Sequence, residues 1–369
     1  MLKVAIIQEW LTTMGGSEKV VQAIAEIYPQ ADIFALVADN KLVQELGFSN
    51  RRITTSLIQK MPFGLRKYKT YLPLFPFAIE QFDLREYDLI ISSSHAVTKG
   101  VLTNNEQLHI TYCHSPIRYA WDLHHQYLEE EGLGFGLKGL LARYFLHRIR
   151  IWDFISSNRP DFYVSNSNFI AKRISKVYQK PATTIYPPIE IEDFKLETNK
   201  EDYYVTSSRM VPYKKIDLIV EAFSKMPEKK LVVIGDGPDY NKIKAKAGSN
   251  IIFTGYLPFK ALIEKLQKAK AFVFAAIEDF GMLPVEAQAC GTPVIALGKG
   301  GSLETVVDGV TGVLFPDQTI ASLIEGVSRF EQLTFDPLAI RAHAETFGKE
   351  LFKTKFEVFV NQKLADKVK

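Results

Sequence analysis

The sequence has few cysteines and little net charge. Among its 369 residues only Cys113 and Cys290 are cysteines, which excludes a disulfide framework and is typical of a protein from a reducing compartment. The formal net charge is only +3 at pH 7, so nothing in the charge balance favours nucleic acid as a partner. We therefore expect a cytoplasmic protein with two free thiols and no nucleic-acid partner.

Long apolar runs and targeting signals are also missing. No run reaches the ~18 uninterrupted apolar residues typical of a transmembrane helix, and the start, MLKVAIIQEW, has neither the basic region nor the cleavage site of a signal peptide. No Gly-x-x-x-x-Gly-Lys-Ser/Thr string for binding phosphates occurs. These absences predict a protein that is neither secreted by that route nor membrane-spanning, and a chain of 369 residues predicts about two domains.

Acidic residues are absent from residues 51–79, which we call the acid-free segment. Its bases are Arg51, Arg52, Lys60, Arg66, Lys67 and Lys69, and they alternate with Phe63, Tyr68, Tyr71, Phe75 and Phe77. Interleaved bases and aromatic residues suit an anionic membrane surface, with the rings at the headgroup level. We predict a peripheral contact with the inner face of the plasma membrane; a solvated basic face with a few buried aromatic side chains is the alternative.

The segment 271–292, AFVFAAIEDFGMLPVEAQACGT, predicts a strand, a turn and a helix in succession. The apolar run 271–276 suits a buried parallel strand. Residues 278–282 form an acidic turn with a glycine, and residues 283–289 have the start and stop signals of a helix, with Pro284 in its first turn and Gly291 after its end. This order places the turn at the carboxyl end of a parallel sheet, where open α/β sheets bind ligands.

The same turn carries groups that suit a sugar nucleotide. Backbone N–H groups from Phe280 to Leu283, at the predicted helix start, favour an anion such as phosphate. Glu278 and Glu286 are better suited to neutral hydroxyls, from which a carboxylate accepts strong hydrogen bonds. Phosphate and hydroxyl acceptors together predict a sugar nucleotide, although either glutamate alone could simply favour the helix N-terminus through its dipole.

This string resembles the signature of family-4 retaining glycosyltransferases with the GT-B fold. In that family a glutamate, seven residues and a second glutamate are followed by a small-Gly-Thr/Val-Pro-Val turn, here residues 290–294. The resemblance extends over the whole chain and implies an α/β protein with two Rossmann-like domains facing each other across a cleft. It implies an acceptor-binding domain at 1–183, a nucleotide-sugar-binding domain at 184–350, and a C-terminal helix at 351–369 that packs back on the first domain.

The resemblance assigns three site residues to the first domain, and Arg118 is added from its place in the same loop as His114. We predict a strand at 4–7 and a loop at 8–14, followed by Gly15 and Gly16 at a helix start, and in the family these glycines face the donor phosphates. His114 takes the family's position near the donor sugar, where it would donate a hydrogen bond to a sugar hydroxyl or support the acceptor. Arg118 is a candidate ligand for an acceptor phosphate.

Arg209 and Lys214 match the family's Arg-x-x-x-x-Lys-Gly pattern, and two cations in one loop suit a diphosphate leaving group. Lys215 stands where glycine is common, so either lysine is a candidate phosphate ligand, and the register favours Lys214. Tyr256 and Leu257 match the loop that holds the base. The other site residues carried over are Glu278, Phe280, Gly281, Met282, Leu283 and Glu286.

The resemblance implies a bacterial polysaccharide or lipopolysaccharide-type hexosyltransferase. It would transfer a hexose from a UDP- or GDP-sugar to a hydroxyl of a glycan acceptor. The leading candidates are glucose or mannose as the hexose and a lipid-linked glycan as the acceptor. Because Arg209, Lys214 and the helix start stabilise the departing diphosphate, we expect no metal or other cofactor. We expect same-face attack with retention, in which Glu278 orients the sugar and Glu286 the ribose.

Two other functions remain open on the sequence. A nucleotide-dependent oxidoreductase would bind its cofactor at Gly235-Asp236-Gly237, although Tyr240 replaces the third glycine of that fingerprint. A non-catalytic sugar-binding protein would bind the same donor without transfer.

Overall fold

The computed structural model describes residues 2–130, 132–134 and 136–367. The described chain divides into two compact units. The first unit contains the chain up to Pro188 together with the residues from Phe352 onwards, and the second unit is Ile189–Leu351. The sequence places the first boundary at 183, but residues 184–188 belong to the first unit because Ile185 is buried in its core.

The first unit alternates strands and helices. Its strands are β1 (Val4–Leu11), β2 (Asp32–Ala38), β3 (Ile53–Thr55), β4 (Leu89–Ser94), β5 (Leu108–Cys113), β6 (Phe162–Ser165) and β7 (Thr183–Thr184). Its helices are α1 (Gly16–Ile27), α2 (Asn40–Glu45), α3 (Gly64–Lys67), α4 (Phe75–Ile79), α5 (His124–Glu130), α6 (Leu137–Ser156) and α7 (Asn168–Tyr178). The strands are parallel, in the order β3-β2-β1-β4-β5-β6-β7. Both faces of this sheet are covered, since Val4 and Ile6 pack in one buried cluster and Ala5 and Ile7 in another.

The predicted loop at 8–14 is wrong in its first half, because β1 continues to Leu11. Gln8 and Glu9 are fully buried despite their polarity. Gln8 Nε2 donates to Glu18 Oε1 at 2.9 Å, and Glu9 Oε1 accepts from the backbone N–H groups of residues 95–98. Polar side chains are tolerated inside a sheet when they find such partners, and those partners are not visible in the local sequence.

The second unit has the same architecture. Its strands are β8 (Tyr204–Ser207), β9 (Leu231–Ile234), β10 (Ile251–Gly255), β11 (Ala271–Phe274), β12 (Val294–Leu297) and β13 (Gly312–Phe315). Its helices are α8 (Ile216–Ser224), α9 (Tyr240–Lys244), α10 (Phe259–Lys268), α11 (Met282–Ala289), α12 (Ser302–Thr305), α13 (Ile320–Glu331) and α14 (Pro337–Glu345). The strands are again parallel, in the order β10-β9-β8-β11-β12-β13.

Each sheet has one point where the strand order reverses. In the first unit it lies between the neighbours β1 and β4, and in the second between β8 and β11. At such a switch point the connecting chains leave the strand ends in opposite directions, which opens the crevice where doubly wound sheets bind ligands. A ligand-binding site is therefore expected at the loops that follow β1, β4, β8 and β11.

The last helix, α15 (Lys349–Lys367), packs on the first unit. Phe352, Phe356, Phe359 and Val360 are buried in that unit's core, and their spacing of three or four residues puts them on one helical face. The predicted α/β fold, with two Rossmann-like domains and a C-terminal helix that packs on the first domain, is confirmed. Over the described residues, no helix has the length and apolar character needed to cross a bilayer.

Candidate active site

The loop after β8 holds the two cations predicted to bind phosphate. Arg209 lies exposed directly after the strand, and Lys214 ends a 3-10 turn over Pro212–Lys214. Lys215 has φ +56° and ψ 32° and begins α8. This left-handed conformation is the one that glycine adopts most easily, which explains why glycine suits the position. The structure therefore separates the two lysines: Lys215 shapes the backbone, and Lys214 points its ammonium to Glu278.

The glycines of the Gly235-Asp236-Gly237 turn shape this same cationic loop. A Cβ on Gly235 would overlap the carbonyl oxygen of Ser208, and one on Gly237 would lie 2.5 Å from the carbonyl oxygen of Met210. The Met210 N–H donates to the carbonyl oxygen of Asp236 at 2.9 Å. The glycines are thus required for the close packing of two neighbouring loops, and this packing accounts for the motif that suggested an oxidoreductase.

The acidic glycine turn lies between β11 and α11, as predicted, with bounds shifted by one or two residues. The strand ends at Phe274, and the helix begins at Met282 rather than 283. Gly281, with φ +85°, is the capping residue, so no side chain caps the helix. The helix start can therefore present backbone N–H groups to an anion. Phe280 is buried beside this cap, and Met282 and Leu283 are half-buried.

Glu278 and Lys214 form an ion pair across the switch point of the second sheet. Lys214 follows β8 and Glu278 follows β11, which are adjacent parallel strands. Each side chain is about one-fifth exposed, at 20%. A ligand that binds here with its own negative charge and hydroxyls would therefore have to separate two groups that already satisfy each other.

Glu286 lies one turn into α11 and is only 7% exposed. Burial, with a smaller contribution from the Glu286 carboxylate, raises the pKa of the Cys290 thiol to about 12. Cys290 is therefore an unreactive core thiol at neutral pH, whereas Glu286 is a buried acid at the predicted ribose position.

Sequence reasoning missed the two glycines that support the acidic turn. Gly300 and Gly301 follow β12, and the Gly301 N–H donates to the carbonyl oxygen of Glu278 at 2.8 Å. A Cβ on Gly301 would lie 2.6 Å from the carbonyl carbon of Phe280, and one on Gly300 would lie 2.6 Å from the Glu278 oxygen. The available signal was the run Gly-Lys-Gly-Gly-Ser at 298–302, directly after β12.

Tyr256 and Leu257 follow β10 at the same edge of the sheet. Tyr256 is 78% exposed and Leu257 is half-buried. Strand β10 is two positions from β8, so at about 4.8 Å per strand this loop lies roughly 10 Å from the cationic loop. That separation suits a nucleotide whose base and phosphates occupy different strand ends.

In the first unit, Gly15 and Gly16 begin α1 above a buried acid. Gly15 is the capping residue and Gly16 the first helical residue. Glu18 is 3% exposed, and its Oε2 accepts from Ser17 Oγ at 2.9 Å. A Cβ on Gly15 would lie 2.9 Å from the same Oε2 atom. Burial raises the pKa of Glu18. Glu18 is a third residue that the sequence did not single out, and its carboxylate lies where a side chain at Gly15 would have to be.

His114 lies at the end of β5 and is half-buried. Its Nε2 is 2.8 Å from Ser93 Oγ, and its ring lies 5.1 Å from that of Tyr112. Burial, with help from the charges of His95 and Arg118, lowers the pKa of His114 to about 3. His114 is therefore a neutral imidazole at pH 7, able to make hydrogen bonds but not to supply a positive charge. Its electrostatic interaction with Arg118 shows that the two predicted residues lie near each other.

The structure brings part of the predicted set together. Within the second unit the loop of Arg209 and Lys214 and the turn of Glu278 and Gly281 follow adjacent strands, and Lys214 contacts Glu278. Within the first unit His114 and Arg118 follow β5, and Gly15 and Gly16 follow β1. Among the residues that the structure describes, no group of three His, Cys, Asp or Glu side chains is arranged to hold a metal ion.

Comparison with known proteins gives a family match over the part of the chain that contains the candidate site of the second unit. Residues 188–347 match the family model described as Glycosyl transferases group 1. The D-inositol 3-phosphate glycosyltransferase of Mycobacterium leprae (strain Br4923) is 32% identical over 143 residues, which are 36% of this chain and 33% of that protein. The GDP-mannose-dependent monoacylated alpha-(1-6)-phosphatidylinositol monomannoside mannosyltransferase of Corynebacterium glutamicum is 30% identical over 161 residues, which are 38% of this chain and 41% of that protein. This chain therefore aligns with less than half the length of either relative.

Solved structures match over nearly the whole chain. The apo form of the lipopolysaccharide outer core galactosyltransferase WaaB has a TM-score of 0.70 and 17% identity, covering 98% of this chain and 100% of that one. The Anabaena protein HepE, solved in complex with UDP and glucose, has a TM-score of 0.69 and 16% identity with the same coverage. At these identities the matches establish the fold, which is of the GT-B type.

Proposed function

We propose that this chain, a GT-B-type protein whose residues 188–347 are a glycosyl transferases group 1 domain, transfers a hexose from a nucleoside diphosphate sugar to a hydroxyl group of a glycan acceptor. One observation carries the proposal. The loop of Arg209 and Lys214 and the turn of Glu278 and Gly281 follow adjacent parallel strands at the switch point of the second sheet. Cations and a helix N-terminus meet a carboxylate there, which is what a diphosphate attached to a sugar requires.

The chemistry follows from the charges. Cleavage of the bond between the anomeric carbon and the diphosphate oxygen leaves positive charge on the sugar and negative charge on the leaving group. The guanidinium of Arg209, the ammonium of Lys214 and the N-terminus of α11 would stabilise that negative charge. Two cations and a helix dipole at one place support a reaction that does not need a metal ion.

Donor binding would replace the ion pair between Lys214 and Glu278. The ammonium would turn to a phosphate oxygen, and the carboxylate would accept hydrogen bonds from distal sugar hydroxyls. Each group exchanges one partner for another, so the pair holds both side chains in place before the donor arrives. Glu286 would bind the ribose, and Tyr256 and Leu257 the base.

We extend the proposal to retention of the anomeric configuration. The acceptor oxygen would attack the anomeric carbon on the face that the diphosphate leaves, and the acceptor proton would pass to the departing phosphate oxygen. His114 would serve as a neutral hydrogen-bonding group for a sugar hydroxyl, since its pKa of about 3 removes it as a cation at neutral pH. Gly15 and Gly16 would face the donor phosphates, and Arg118 an acceptor phosphate.

The relatives guide the choice of donor and acceptor. The Corynebacterium protein is named as GDP-mannose-dependent and as acting on a phosphatidylinositol mannoside, and HepE was solved with UDP and glucose. We therefore propose UDP-glucose and GDP-mannose as the first donors to test and a lipid-linked glycan of a polysaccharide pathway as the acceptor, reached from the inner face of the plasma membrane.

Thermal stabilisation by a panel of nucleotide sugars tests the donor. A ligand that binds only the folded state raises the melting temperature, so one donor should stabilise the protein more than its competitors and be consumed on addition of acceptor. Lys214→Ala and Glu286→Ala should abolish turnover with unchanged far-UV circular dichroism, whereas Lys260→Ala, an exposed lysine of α10, should not.

Three outcomes would contradict the proposal in different ways. Unchanged turnover in Lys214→Ala and Glu286→Ala would remove both residues from the site. Donor binding with neither hydrolysis nor transfer would indicate a non-catalytic sugar-binding protein. An inverted product anomer, or a covalent glycosyl adduct on a carboxylate, would refute same-face attack.

A further inference from the structure

Helix α6 has its apolar side chains on the outside. Its buried residues are Gly139, Leu146, Ile149, Asp153 and Ser156, which recur at helical spacing and define the inward face. The exposed large apolar residues are Leu137, Leu140, Leu141, Tyr144, Phe145, Ile151, Phe154 and Ile155, with Leu137 76% exposed. Leu137, Leu141, Tyr144, Ile151 and Ile155 follow the same period on the opposite face, where a surface helix ordinarily carries polar residues.

A buried ion pair fixes the rotational setting of this helix. The Asp153 carboxylate is fully buried and accepts hydrogen bonds from Lys99 Nζ, from Trp121 Nε1 at 2.7 Å and from Tyr178 Oη at 3.0 Å. Turning α6 to bury its apolar face would break these contacts of Asp153. A buried charge would then lose its partner, which is strongly unfavourable. The exposed apolar face is therefore a fixed feature of the first unit.

The exposed face is cationic as well as apolar. Arg148 lies on it and Lys138 beside it, and both are exposed. The only acid in α6 is Asp153, on the buried side. Glu129, the nearest exposed acid before α6 whose side chain is described, belongs to α5. A second copy of this chain would therefore meet the face with like charges, which disfavours self-association.

The acid-free segment packs next to α6 and presents similar groups. Leu72 is partly buried and packs against the cluster that contains Ile149 of α6, and Trp152 of α6 packs against the cluster that contains Phe75. The segment buries Tyr68 and Phe75 but leaves Phe63, Leu74 and Phe77 exposed. Its exposed bases are Arg52, Lys60, Arg66, Lys67 and Lys69. Arg51, in contrast, donates to backbone carbonyls, so it does not add to the exposed bases of this segment.

We propose that the outer face of α6, extended by the exposed residues of the acid-free segment, binds an anionic lipid surface. The helix would lie in the plane of the interface, with Leu137, Leu141, Tyr144 and Ile155 among the acyl chains and the lysines and arginines among the anionic headgroups. The charge of this surface favours an anionic lipid, because α6 and the acid-free segment both expose apolar and basic side chains and neither exposes an acid. The inference stands apart from the transfer reaction, since it needs neither donor nor acceptor.

Vesicle flotation without nucleotide sugar tests this surface. We expect the full chain to bind vesicles of equal parts phosphatidylcholine and phosphatidylglycerol and not to bind phosphatidylcholine alone. Leu141→Gln with Ile155→Gln should weaken partition at least about tenfold, because two apolar side chains no longer enter the interface. Lys138→Gln and Arg148→Gln should each weaken it about fivefold, with a smaller dependence on salt.

A matched control uses apolar side chains of similar exposure elsewhere. Leu338 of α14 and Val358 of α15 are 63% and 61% exposed, and Leu338→Gln with Val358→Gln should bind vesicles as wild type does. Far-UV circular dichroism checks that every variant folds. Three results would each overturn the proposal: no wild-type binding to anionic vesicles, unchanged binding of the α6 double variant, or a wild-type dimer in light scattering that the α6 variant alone dissociates.

Discussion

Lys214 and Lys215 are neighbours with different backbone and side-chain tasks. Lys214 pairs with Glu278, whereas Lys215 occupies a left-handed conformation with φ +56°. A side chain with a Cβ is strained there by about 1–2 kcal/mol, and glycine is not. The sequence could predict that one of the two lysines matters, but the choice between them depends on a backbone angle that only the folded loop reveals.

Replacing Lys215 by glycine separates the two tasks. We expect Lys215→Gly to raise the free energy of unfolding of the second unit by up to about 1 kcal/mol, since relief of strain exceeds the added entropy of the unfolded chain. Turnover should persist because Lys214 remains. Urea unfolding followed by circular dichroism, with initial rates, checks both. Loss of turnover comparable to that of Lys214→Ala would assign the phosphate to Lys215 instead.

Two histidines make the first unit sensitive to acid. Burial lowers the pKa of His109 and of His114 to about 3, whereas an unfolded histidine titrates near 6.5. The unfolded chain therefore binds more protons between these values, so stability is complete above pH 6.5 and falls as the pH drops towards 3. Each histidine contributes up to about 1.4 kcal/mol per pH unit in that window.

Tryptophan fluorescence measures this loss selectively. All three tryptophans, Trp10, Trp121 and Trp152, lie in the first unit. The urea midpoint of the fluorescence transition should fall between about pH 6.5 and pH 5, and His114→Gln should reduce that slope. A midpoint independent of pH in this range would contradict the neutral state of both rings in the folded protein.

At the scale of secondary structure, the sequence predicted the strands at 4–7 and 271–276 because apolar runs bounded by turn residues are a local signal. The strand β11 and the helix α11 appear within two residues of the predicted bounds. The extension of β1 through Gln8 and Glu9 was missed because its cause is non-local: the partners of Glu9 are at residues 95–98. The same holds for Gly300 and Gly301, which matter only because β12 lies beside β11.

The support of the acidic turn by Gly301 can be tested against a neighbouring glycine. A Cβ on Gly301 would collide with the backbone of Phe280, whereas a Cβ on Gly298 would meet no atom closer than 3.5 Å. Gly301→Ala should therefore displace the turn and lower kcat/KM for the donor by roughly 100-fold, the scale of losing one transition-state contact. Gly298→Ala should stay near wild type. Equal activity of the two variants in initial-rate assays would show that the turn tolerates displacement.

At the scale of the whole molecule, the chain forms one α/β unit and then a second, and its last helix, α15, packs on the first unit. Phe356 is fully buried in the core of the first unit, although it is distant in sequence from that unit's strands. The resemblance implied that the last helix packs on the first unit. Composition alone could not predict this, because the apolar face of a helix does not show which part of the chain covers it.

Truncating Phe356 measures what the last helix contributes. Phe356→Ala should lower the stability of the first unit by about 3–5 kcal/mol through loss of a buried aromatic ring. Val358→Ala, on the exposed face of the same helix, should change it by less than about 0.5 kcal/mol. Urea unfolding followed by tryptophan fluorescence reports the first unit. An unchanged transition in Phe356→Ala would mean that α15 does not complete that core.

The proposed reaction depends above all on Arg209, Lys214 and the start of α11, which would bind the diphosphate of a sugar nucleotide. A crystal structure of the complex with UDP or GDP tests it most directly. We predict phosphate oxygens in hydrogen-bond contact with the Arg209 guanidinium, the Lys214 ammonium and the backbone N–H groups that begin α11, with the Lys214–Glu278 ion pair opened. A diphosphate bound elsewhere, with that ion pair intact, would contradict the account.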